Sequence, residues 1–426
     1  MAITSGRPLM DRLRAETHAR HMRVEEQPLF RALAVRDLPL DSYVGFLTAL
    51  AIVYGGLEQA VLRLPDREAG AIWDEHMRKL PLIERDLAFF KEHTLRPMPA
   101  ATLHALIMDE QIRRRATDDP LTLLGYLYVL EGSTLGGIVL RAQVARAFKL
   151  KDGEGLAYLS SYDRQVKASW KRFTRQMNEA PLDDRTQQRI VIAAGEAFNG
   201  IERLVGALYP IPEQEMFELV GVLNPEAGNH FIADDAREIE AAMRAGDRSW
   251  RQVPYYEQRY GERGRRFTWS DSSWIVTLAQ HSQEVIQHQI DWLGRLLAAR
   301  GMPRWLLEQH LAVLHAELLQ VVPEKRRDYT IFAQEAERLR DQRRAQIDEQ
   351  TFHALAAAFE QQVGLEWSAR LPGIGILIVA AVADEKAGIR HAVSSVEHWL
   401  IDPERFPPHW IAAVQATIEQ ARRHGT

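Results

Sequence analysis

The chain has 426 residues, which is more than one ordinary hydrophobic core holds, and this length predicts two domains. Its composition is globular, with 46% hydrophobic and 26% charged residues, a net charge of −5 and scattered arginines, which argues against nucleic-acid binding or a polybasic membrane surface. It contains no cysteine, which excludes disulfides, zinc–thiolate sites and iron–sulfur clusters and is compatible with a cytoplasmic location.

Neither a leader nor a membrane span is expected. The N-terminal segment has no apolar core followed by a small-residue cleavage site, so it does not resemble a signal peptide. The longest apolar run, "GIGILIVAAVA" at 373–383, is shorter than the ~20 residues that span a bilayer. This run predicts a buried helix instead.

Helical periodicity dominates the first half of the chain. An opening helix is predicted over 12–34, and a second over 41–64 with Asp41 as its N-cap. Further helices are predicted over 67–93, 101–117, 120–148, 161–178 and 183–208. The segment "LYPIPEQ", ending at Gln214, is the clearest break, so residues 1–210 are predicted to form the first domain.

The second half is also predicted to be helical, so the fold class is all-α. Residues 211–266 mix glycine, proline and short helical pieces and predict a connector, and residues 267–426 predict an all-α accessory domain. Segments starting at Ile286 and Ile389 both read as a helix, a proline-containing turn and a helix with an early tryptophan, which favours a duplicated helical hairpin within one bundle. The polar stretch 334–350 between them predicts a solvated helix.

The first motif with chemical potential is "LRAETHARHMRVEE". Thr17, His21 and Glu25 are spaced by four residues and share one helix face, with Arg14 on the same side. A neutral imidazole held by a carboxylate one turn away makes a good iron ligand, because the carboxylate fixes the tautomer and raises the basicity of the ring. For a histidine considered alone, an ordinary surface helix is the better explanation.

The second motif is "LEGSTLGG" at 130–137. It places Gly132, Gly136 and Gly137 in a helical context, where each glycine costs about 1 kcal/mol relative to alanine. Such glycines allow a helix backbone to approach a flat ligand, and they also allow two helices to cross tightly. The spacing does not distinguish between these explanations.

Together the two motifs resemble those of bacterial heme oxygenases, of the biliverdin-producing type often associated with bacterial phytochromes. The resemblance covers residues 1–210 and rests on Thr17-x3-His21-x3-Glu25 and on "YLYVLEGSTLGG" about 110 residues later. Supporting segments follow in the family's order, namely "SYVGFLTALAIVYGGLE", "SYDRQVKASWKRF" and "AAGEAFNGIERL". The resemblance implies a heme-oxygenase-like helical domain, whereas the second half resembles no family that we recognise.

The resemblance also implies residue roles. His21 would be the proximal ligand of the heme iron, with Glu25 as its orienting partner and Thr17 on the same heme-facing side. The distal helix over the heme would be formed by Gly132, Ser133, Gly136 and Gly137. Mammalian members carry an aspartate that organises distal water at the position of Ser133.

The heme propionates would be held by basic side chains. Arg14 matches a basic position that contacts a propionate in the family. Bacterial relatives often have a second basic residue where this chain has Ser169, and Lys167, Lys171 or Arg175 could take its place.

The implied activity is degradation of heme b, which is both cofactor and substrate, with O2 and external electrons to biliverdin, CO and Fe(II). The segment "GIGIL" at 373–377 lacks the third glycine and the preceding strand of a dinucleotide site. Electrons are therefore expected from a separate ferredoxin, flavoprotein reductase or small reductant, and a bilin-accepting protein is a candidate partner. The alternative is a heme- or bilin-binding protein that senses, stores or delivers its ligand without turning it over.

Other chemistries fit less well. A thiamin-salvage enzyme of similar architecture needs a cysteine nucleophile, and a di-iron oxidase needs paired Glu/His helices. The second half offers two rows of such residues: His281, Glu284 and His288, then Glu308, His310, His315 and Glu317. Histidines in amphipathic helices usually face water or fill a polar seam, which we favour here. The segment 259–274, "RYGERGRRFTWSDSSW", is either a ligand loop or, more simply, a capped helix start.

Overall fold

A computed structural model of the protein describes residues 7–65, 69, 72–151, 153–211, 219–228 and 230–424. The chain divides into two compact units, Met1–Glu215 and Met216–Thr426. Every regular element in the described ranges is a helix, which confirms the predicted all-α class.

The described part of the first unit contains eight α-helices. They are α1 (Leu9–Glu25), α2 (Pro28–Val35), α3 (Leu40–Ala60), α4 (Leu80–Phe90), α5 (Pro99–Asp118), α6 (Leu123–Phe148), α7 (Val166–Glu179) and α8 (Asp184–Gly206). Short 3-10 turns join several of them, including one at Tyr158–Ser160. Helix α3 packs against α4 and α5, and α8 packs against α1, α5 and α6.

Three predicted helices of this unit differ in extent. The opening helix is two helices, because Pro28 cannot donate the backbone hydrogen bond that would continue α1. Asp41 lies inside the first turn of α3 and is not its N-cap; its carboxylate accepts from the backbone N–H of Arg96 at 2.5 Å. Of the helix predicted over 67–93, the structure has only α4, and residues 66–68 and 70–71 lie outside the described part.

Two helices of this unit are long and apolar enough to cross a bilayer by length and composition. They are Leu40–Arg63, which includes α3, and Pro120–Phe148, which includes α6. In their most apolar stretches, 61% of the first and 50% of the second is buried inside the protein. Helix α6 therefore leaves half of its apolar stretch uncovered.

The second unit contains ten α-helices within the described residues. They are α9 (Leu219–Leu223), α10 (Ala236–Gln252), α11 (Tyr255–Thr277), α12 (Gln283–Ala298), α13 (Arg304–Val321), α14 (Arg326–Arg344), α15 (Glu349–Arg370), α16 (Ile374–Lys386), α17 (Ala392–Leu400) and α18 (Pro408–Arg423). Helix α16 is the buried helix predicted from its apolar run and packs against α15, α17 and α18.

The segment predicted as a connector, 211–266, is largely part of this unit's core. Its second half forms α10 and the start of α11, with Trp250 and Tyr255 fully enclosed. Glycine and proline made this stretch look irregular. Pro254 lies between α10 and α11, and α11 is itself two helices merged across a kink at Gly261.

The two similar segments of the second half do form similar structures. Helices α12 and α13 are joined by a turn that contains Pro303, and α17 and α18 by one that contains Pro407. The polar stretch 334–350 is less exposed than predicted, because Glu335 and Arg343 of α14 are buried in ion pairs.

Candidate functional site

The predicted site begins where α1 meets α6. Thr17 is buried, and its hydroxyl donates to the carbonyl of Leu13 at 2.6 Å and contacts the hydroxyl of Tyr128 on α6. Burial raises the pKa of Tyr128, and the Thr17 hydroxyl and the positive charge of Arg14 partly offset this increase. Arg14 and Thr17 therefore lie together, as predicted, and one residue of the distal helix joins them.

His21 lies one turn beyond Thr17 and is half exposed. Its Nε2 lies 3.6 Å from Oε1 of Glu25, and 52% of its side chain is accessible. Phe198 of α8 packs edge-on against the imidazole, with the ring centroids 5.8 Å apart. The 3.6 Å separation exceeds hydrogen-bond length, so packing and charge orient the ring, and the rest of it stays open to a ligand.

The glycines of α6 do not share one environment. A Cβ atom on Gly136 would meet nothing within 4 Å, whereas one on Gly132 would lie 3.4 Å from the ring of Trp170. On Gly137 it would lie 3.2 Å from the carbonyl oxygen of Leu159. Gly136 therefore faces open space.

The tight helix crossing lies elsewhere on α6. A Cβ on Gly125 would lie 2.4 Å from the carbonyl oxygen of Ile190 and 2.6 Å from the amide nitrogen of Ala194, both on α8. Helix–helix approach thus explains Gly125 and does not explain Gly136. Of the two explanations for the glycine motif, the space in front of the helix is the one that applies at Gly136.

Apolar side chains surround this open position. Leu135, Ile138 and Val139 are 40%, 52% and 62% exposed, in a helix whose first half is buried. A cluster of exposed apolar residues beside an open backbone marks a surface for an apolar ligand or partner.

Ser133 is exposed, but its hydroxyl reaches groups behind α6. Its hydroxyl donates to the carbonyl of Leu130 at 2.7 Å. It also contacts the hydroxyls of Tyr54 and Tyr158, which lie 3.4 Å apart behind α6. Ser133 thus connects the glycine segment to a buried pair of phenols.

Helix α7 brings a row of cations to the same region. Lys167, Lys171 and Arg175 are spaced by four residues and exposed, with no ion-pair partner in the described ranges. On the same helix, Trp170 packs 6.1 Å from Tyr128 between ring centroids and covers Gly132. Ser169 is half-buried beside this ring. The three predicted cations therefore lie on the helix that packs over one distal glycine.

The sequence motifs did not predict a charged pair behind α6. Lys79 is fully buried with its Nζ atom 3.3 Å from Oε2 of Glu131, the residue before Gly132. One sequence signal was available, because an acidic residue inside the apolar run "YLYVLEG" requires a buried partner. Nothing in the sequence indicates that Lys79 is this partner.

The rows of histidines and carboxylates in the second unit do not form a metal site. Among the residues that the structure describes, no group of three or more His, Asp or Glu could hold a metal ion. Glu308 is bound by Arg340 and Arg343, and Glu317 by Arg244 and Arg248.

His310 fills a buried polar seam, as favoured from the sequence. Its Nδ1 lies 3.0 Å from the hydroxyl of Ser249 and its Nε2 lies 2.8 Å from that of Ser272. Burial lowers the pKa of His310 to about 4, so the imidazole is neutral near pH 7.

The segment 259–274 is not a loop; after a kink at Gly261 it continues as helix, without an Asp or Ser cap at 270–273. It lies within α11, and Arg265 from its basic run is buried between Asp247 and Glu257. Its basic composition therefore serves ion pairs inside the second unit.

Comparison with known proteins finds similarity in the first unit. The family model for heme oxygenase matches residues 7–206. Heme oxygenase 1 of Synechocystis sp. is 25% identical over 193 residues, which are 45% of this chain and 80% of that protein.

Solved structures of heme oxygenases also match this half. One from Leptospira interrogans has 20% identity and a TM-score of 0.42, covering 47% of this chain and 98% of the other. Heme oxygenase-1 from Synechocystis sp. PCC 6803 in complex with heme has 24% identity and a TM-score of 0.43, covering 47% and 92%. The heme oxygenase family model and these relatives all match the N-terminal half of the chain, where the two motifs predicted the resemblance.

Proposed function

We propose that the first unit binds heme b between α1 and the glycine segment of α6 and degrades it. The products would be biliverdin, CO and Fe(II), with O2 and external electrons consumed, so that heme is both cofactor and substrate. The observation that carries this proposal is the open space at Gly136, lined by exposed Leu135, Ile138 and Val139, in a unit whose α1 presents a half-exposed His21.

The residues present suit a porphyrin. The imidazole of His21 would ligate the iron, and Glu25 would keep its ring oriented and basic. Arg14 and the α7 cations, Lys167, Lys171 and Arg175, would hold the propionates, because carboxylates pair best with cations that have no other partner.

The distal helix would contribute mainly by having no side chain at Gly136. Heme, when bound, would activate O2 and be cleaved at one meso carbon. Gly136 leaves the room that this needs, and the backbone of Gly132 and Gly137 would limit the space along one direction. The hydroxyl of Ser133 donates its proton to the carbonyl of Leu130, so its oxygen would accept a hydrogen bond from ordered water.

Two further parts of the proposal concern the surroundings. Electrons would come from a separate ferredoxin, flavoprotein reductase or small reductant, and the bilin would pass to an accepting protein. We also propose a cytoplasmic location, since the cysteine-free chain suits a reducing compartment.

The test is a single-turnover experiment. Hemin is added to the purified chain, a reductant and O2 follow, and the absorption spectrum is recorded with an iron chelator present. The proposal expects loss of the Soret band, growth of a biliverdin band and chelated Fe(II) in equal amount. A stable ferric or oxygenated complex would contradict turnover.

The second candidate is a binding protein that keeps heme or a bilin intact. It is favoured by one observation, namely that Ser133 stands where mammalian relatives carry an aspartate and already donates its proton within the helix. The same spectra separate the two candidates, because a binding protein forms the complex and then does not change.

A further inference from the structure

A buried ammonium lies directly behind the distal helix. Lys79 has no exposed surface, and its Nζ atom donates to the carbonyl of Met77 at 2.7 Å, to the hydroxyl of Tyr162 at 3.0 Å and to Glu131 at 3.3 Å. The Nζ atom also lies 4.2 Å from the centroid of the Tyr162 ring. All three protons of the ammonium therefore have an acceptor.

Such a pair needs an explanation besides stability. Moving two charges out of water costs several kcal/mol each, and apolar residues of similar volume often stabilise a fold equally well. Burial lowers the pKa of Lys79, and the charge of Glu131 is the largest effect that opposes this decrease. The negative charge of Glu131 therefore favours the charged form of Lys79.

The other carboxylates near Lys79 have partners of their own. Glu58 accepts from the guanidinium of Arg78 at 3.3 Å and from the backbone N–H of Lys79 at 2.6 Å. Asp74 pairs with Arg172 at 3.3 Å. Glu131 is therefore the carboxylate that Lys79 contacts with its ammonium.

Tyr162 closes this pair off from solvent. Its ring lines a pocket of about 200 Å³ between α6 and the turn at 159–166, and its hydroxyl contacts Lys79 on the inner side. Burial and the charge of Glu131 raise the pKa of Tyr162, so its hydroxyl keeps its proton.

Glu131 also faces the phenols that reach the glycine segment. Tyr54 and Tyr158 are both buried, and burial and the charge of Glu131 raise the pKa of each. Their hydroxyls lie 3.4 Å apart, and both contact Ser133, which is exposed on the glycine segment. The charge of Glu131 therefore acts on two phenols, and these phenols in turn contact Ser133 at the surface of α6 beside Gly132.

We propose that Lys79 and Glu131 are positioning residues of the distal pocket, whose opposite charges act on the Tyr54–Tyr158–Ser133 hydroxyls and set the electrostatic potential in the cleft. This inference rests on the proposed function, because the cleft it concerns is the proposed heme site. Neither residue touches that cleft, so each acts through the hydroxyls and through the local electrostatic field.

The experiment uses the two charges separately. Lys79→Met leaves the negative charge of Glu131 uncompensated, and Glu131→Gln leaves the positive charge of Lys79. The ferric hemin complex of the full-length protein is titrated with base. The measured quantity is the pH at which half of the change in its absorption spectrum has occurred. A unit charge about 10 Å away at an effective dielectric constant of about 20 shifts such a midpoint by about one pH unit.

The expected result is a pair of opposite shifts. A negative charge disfavours loss of a proton from the cleft, so the midpoint of Lys79→Met should rise, and that of Glu131→Gln should fall. The proposal holds if the first midpoint exceeds the second by more than about half a pH unit, and it is overturned by a smaller or reversed difference. A purely structural role would move both midpoints in the same direction.

Two controls make the comparison robust. Glu84→Gln and Lys91→Met make the same two charge changes on exposed side chains, the first inside α4 and the second at its C-terminal end. Both control variants should leave the pH midpoint unchanged. If Lys79→Met does not fold, the double variant K79M/E131Q replaces it. Its midpoint should then exceed that of Glu131→Gln, since only the positive charge differs.

The test also separates this inference from the proposed function. If the parent protein binds no hemin, both are overturned. If the parent binds and degrades hemin but the midpoints of the two variants coincide, only the role of Lys79 and Glu131 is overturned.

Discussion

Replacing two glycines of the same helix by alanine should have opposite effects on stability. At Gly136 the new methyl group meets nothing within 4 Å, so the variant gains helix propensity without a clash. At Gly125 the methyl group would lie 2.4 Å from the carbonyl oxygen of Ile190 and 2.6 Å from the amide nitrogen of Ala194. Both obstacles are backbone atoms, so α6 and α8 must move apart.

The magnitudes follow from these distances. Gly136→Ala should stabilise the heme-free protein by about 1 kcal/mol, the difference in helix propensity between the two residues. Gly125→Ala should destabilise it by about 1–3 kcal/mol, as is usual for overpacking in a core. The two variants should therefore differ by about 2–4 kcal/mol, although the chemical change is the same.

Hydrogen exchange measured by mass spectrometry reports these free energies for α6 and α8 without interference from the second unit. Amides in peptides from α6 should exchange about fivefold more slowly in Gly136→Ala than in the parent. Hemin binding should change in the other direction. The same methyl group would occupy the proposed heme face and weaken binding by about 1–3 kcal/mol, which is about 5- to 150-fold.

One combination of results would refute this reasoning. If Gly136→Ala is more stable than the parent and also binds and degrades hemin normally, the open space at Gly136 is not where heme lies. If Gly136→Ala instead loses stability as Gly125→Ala does, Gly136 does not face open space.

The remaining predictions concern ligation, charge and pH. His21→Ala should abolish the Soret spectrum of a histidine-ligated ferric complex, whereas His18→Ala, also exposed on α1, should leave it intact. Lys171→Glu should weaken hemin binding by about tenfold at low salt and less at high salt, while Arg185→Glu at the start of α8 should not; equal effects would exclude Lys171 from the propionate site. The pKa of His310 is about 4 in the folded protein, whereas its ordinary value is 6.5. As the pH decreases, the imidazole of the unfolded chain is therefore protonated before that of the folded chain. The unfolding free energy of the second unit should fall by about 3 kcal/mol between pH 6.5 and pH 4. Urea unfolding followed by tryptophan fluorescence should show this loss in the parent and not in His310→Gln; an identical pH dependence would exclude His310 as its source.

The sequence predicted those features that depend on local spacing. Thr17, His21 and Glu25 share a face because an α-helix repeats every 3.6 residues, and the structure has all three on α1. The same reasoning was less successful over 211–266, where Gly246 lies inside α10 and Gly264 inside α11, although Gly261 does mark a kink. A glycine's propensity is a small local cost, and burial of Trp250 and Tyr255 outweighs it.

Features that join distant segments were beyond local reasoning. Lys79 and Glu131 are separated by 52 positions, and no periodicity relates a lysine before α4 to a carboxylate inside α6. Gly125 and Gly136 look alike in sequence, yet one contacts α8 and the other faces open space. The difference depends on where α8 crosses α6, which is a property of the packed unit and not of either helix.

Helix α6 is held by packing contacts near both of its ends. Gly125 is pressed against α8 near one end, while Val144 is buried and Phe148 stacks on Tyr43 near the other. The span from Gly125 to Val144 is about 28 Å at 1.5 Å per residue, and three glycines lie near its middle. A helix that is held at both ends and has glycines near its middle bends most readily at those glycines. We therefore expect any change in the width of the proposed cleft to come from bending of α6 at these glycines, while its two ends stay in place.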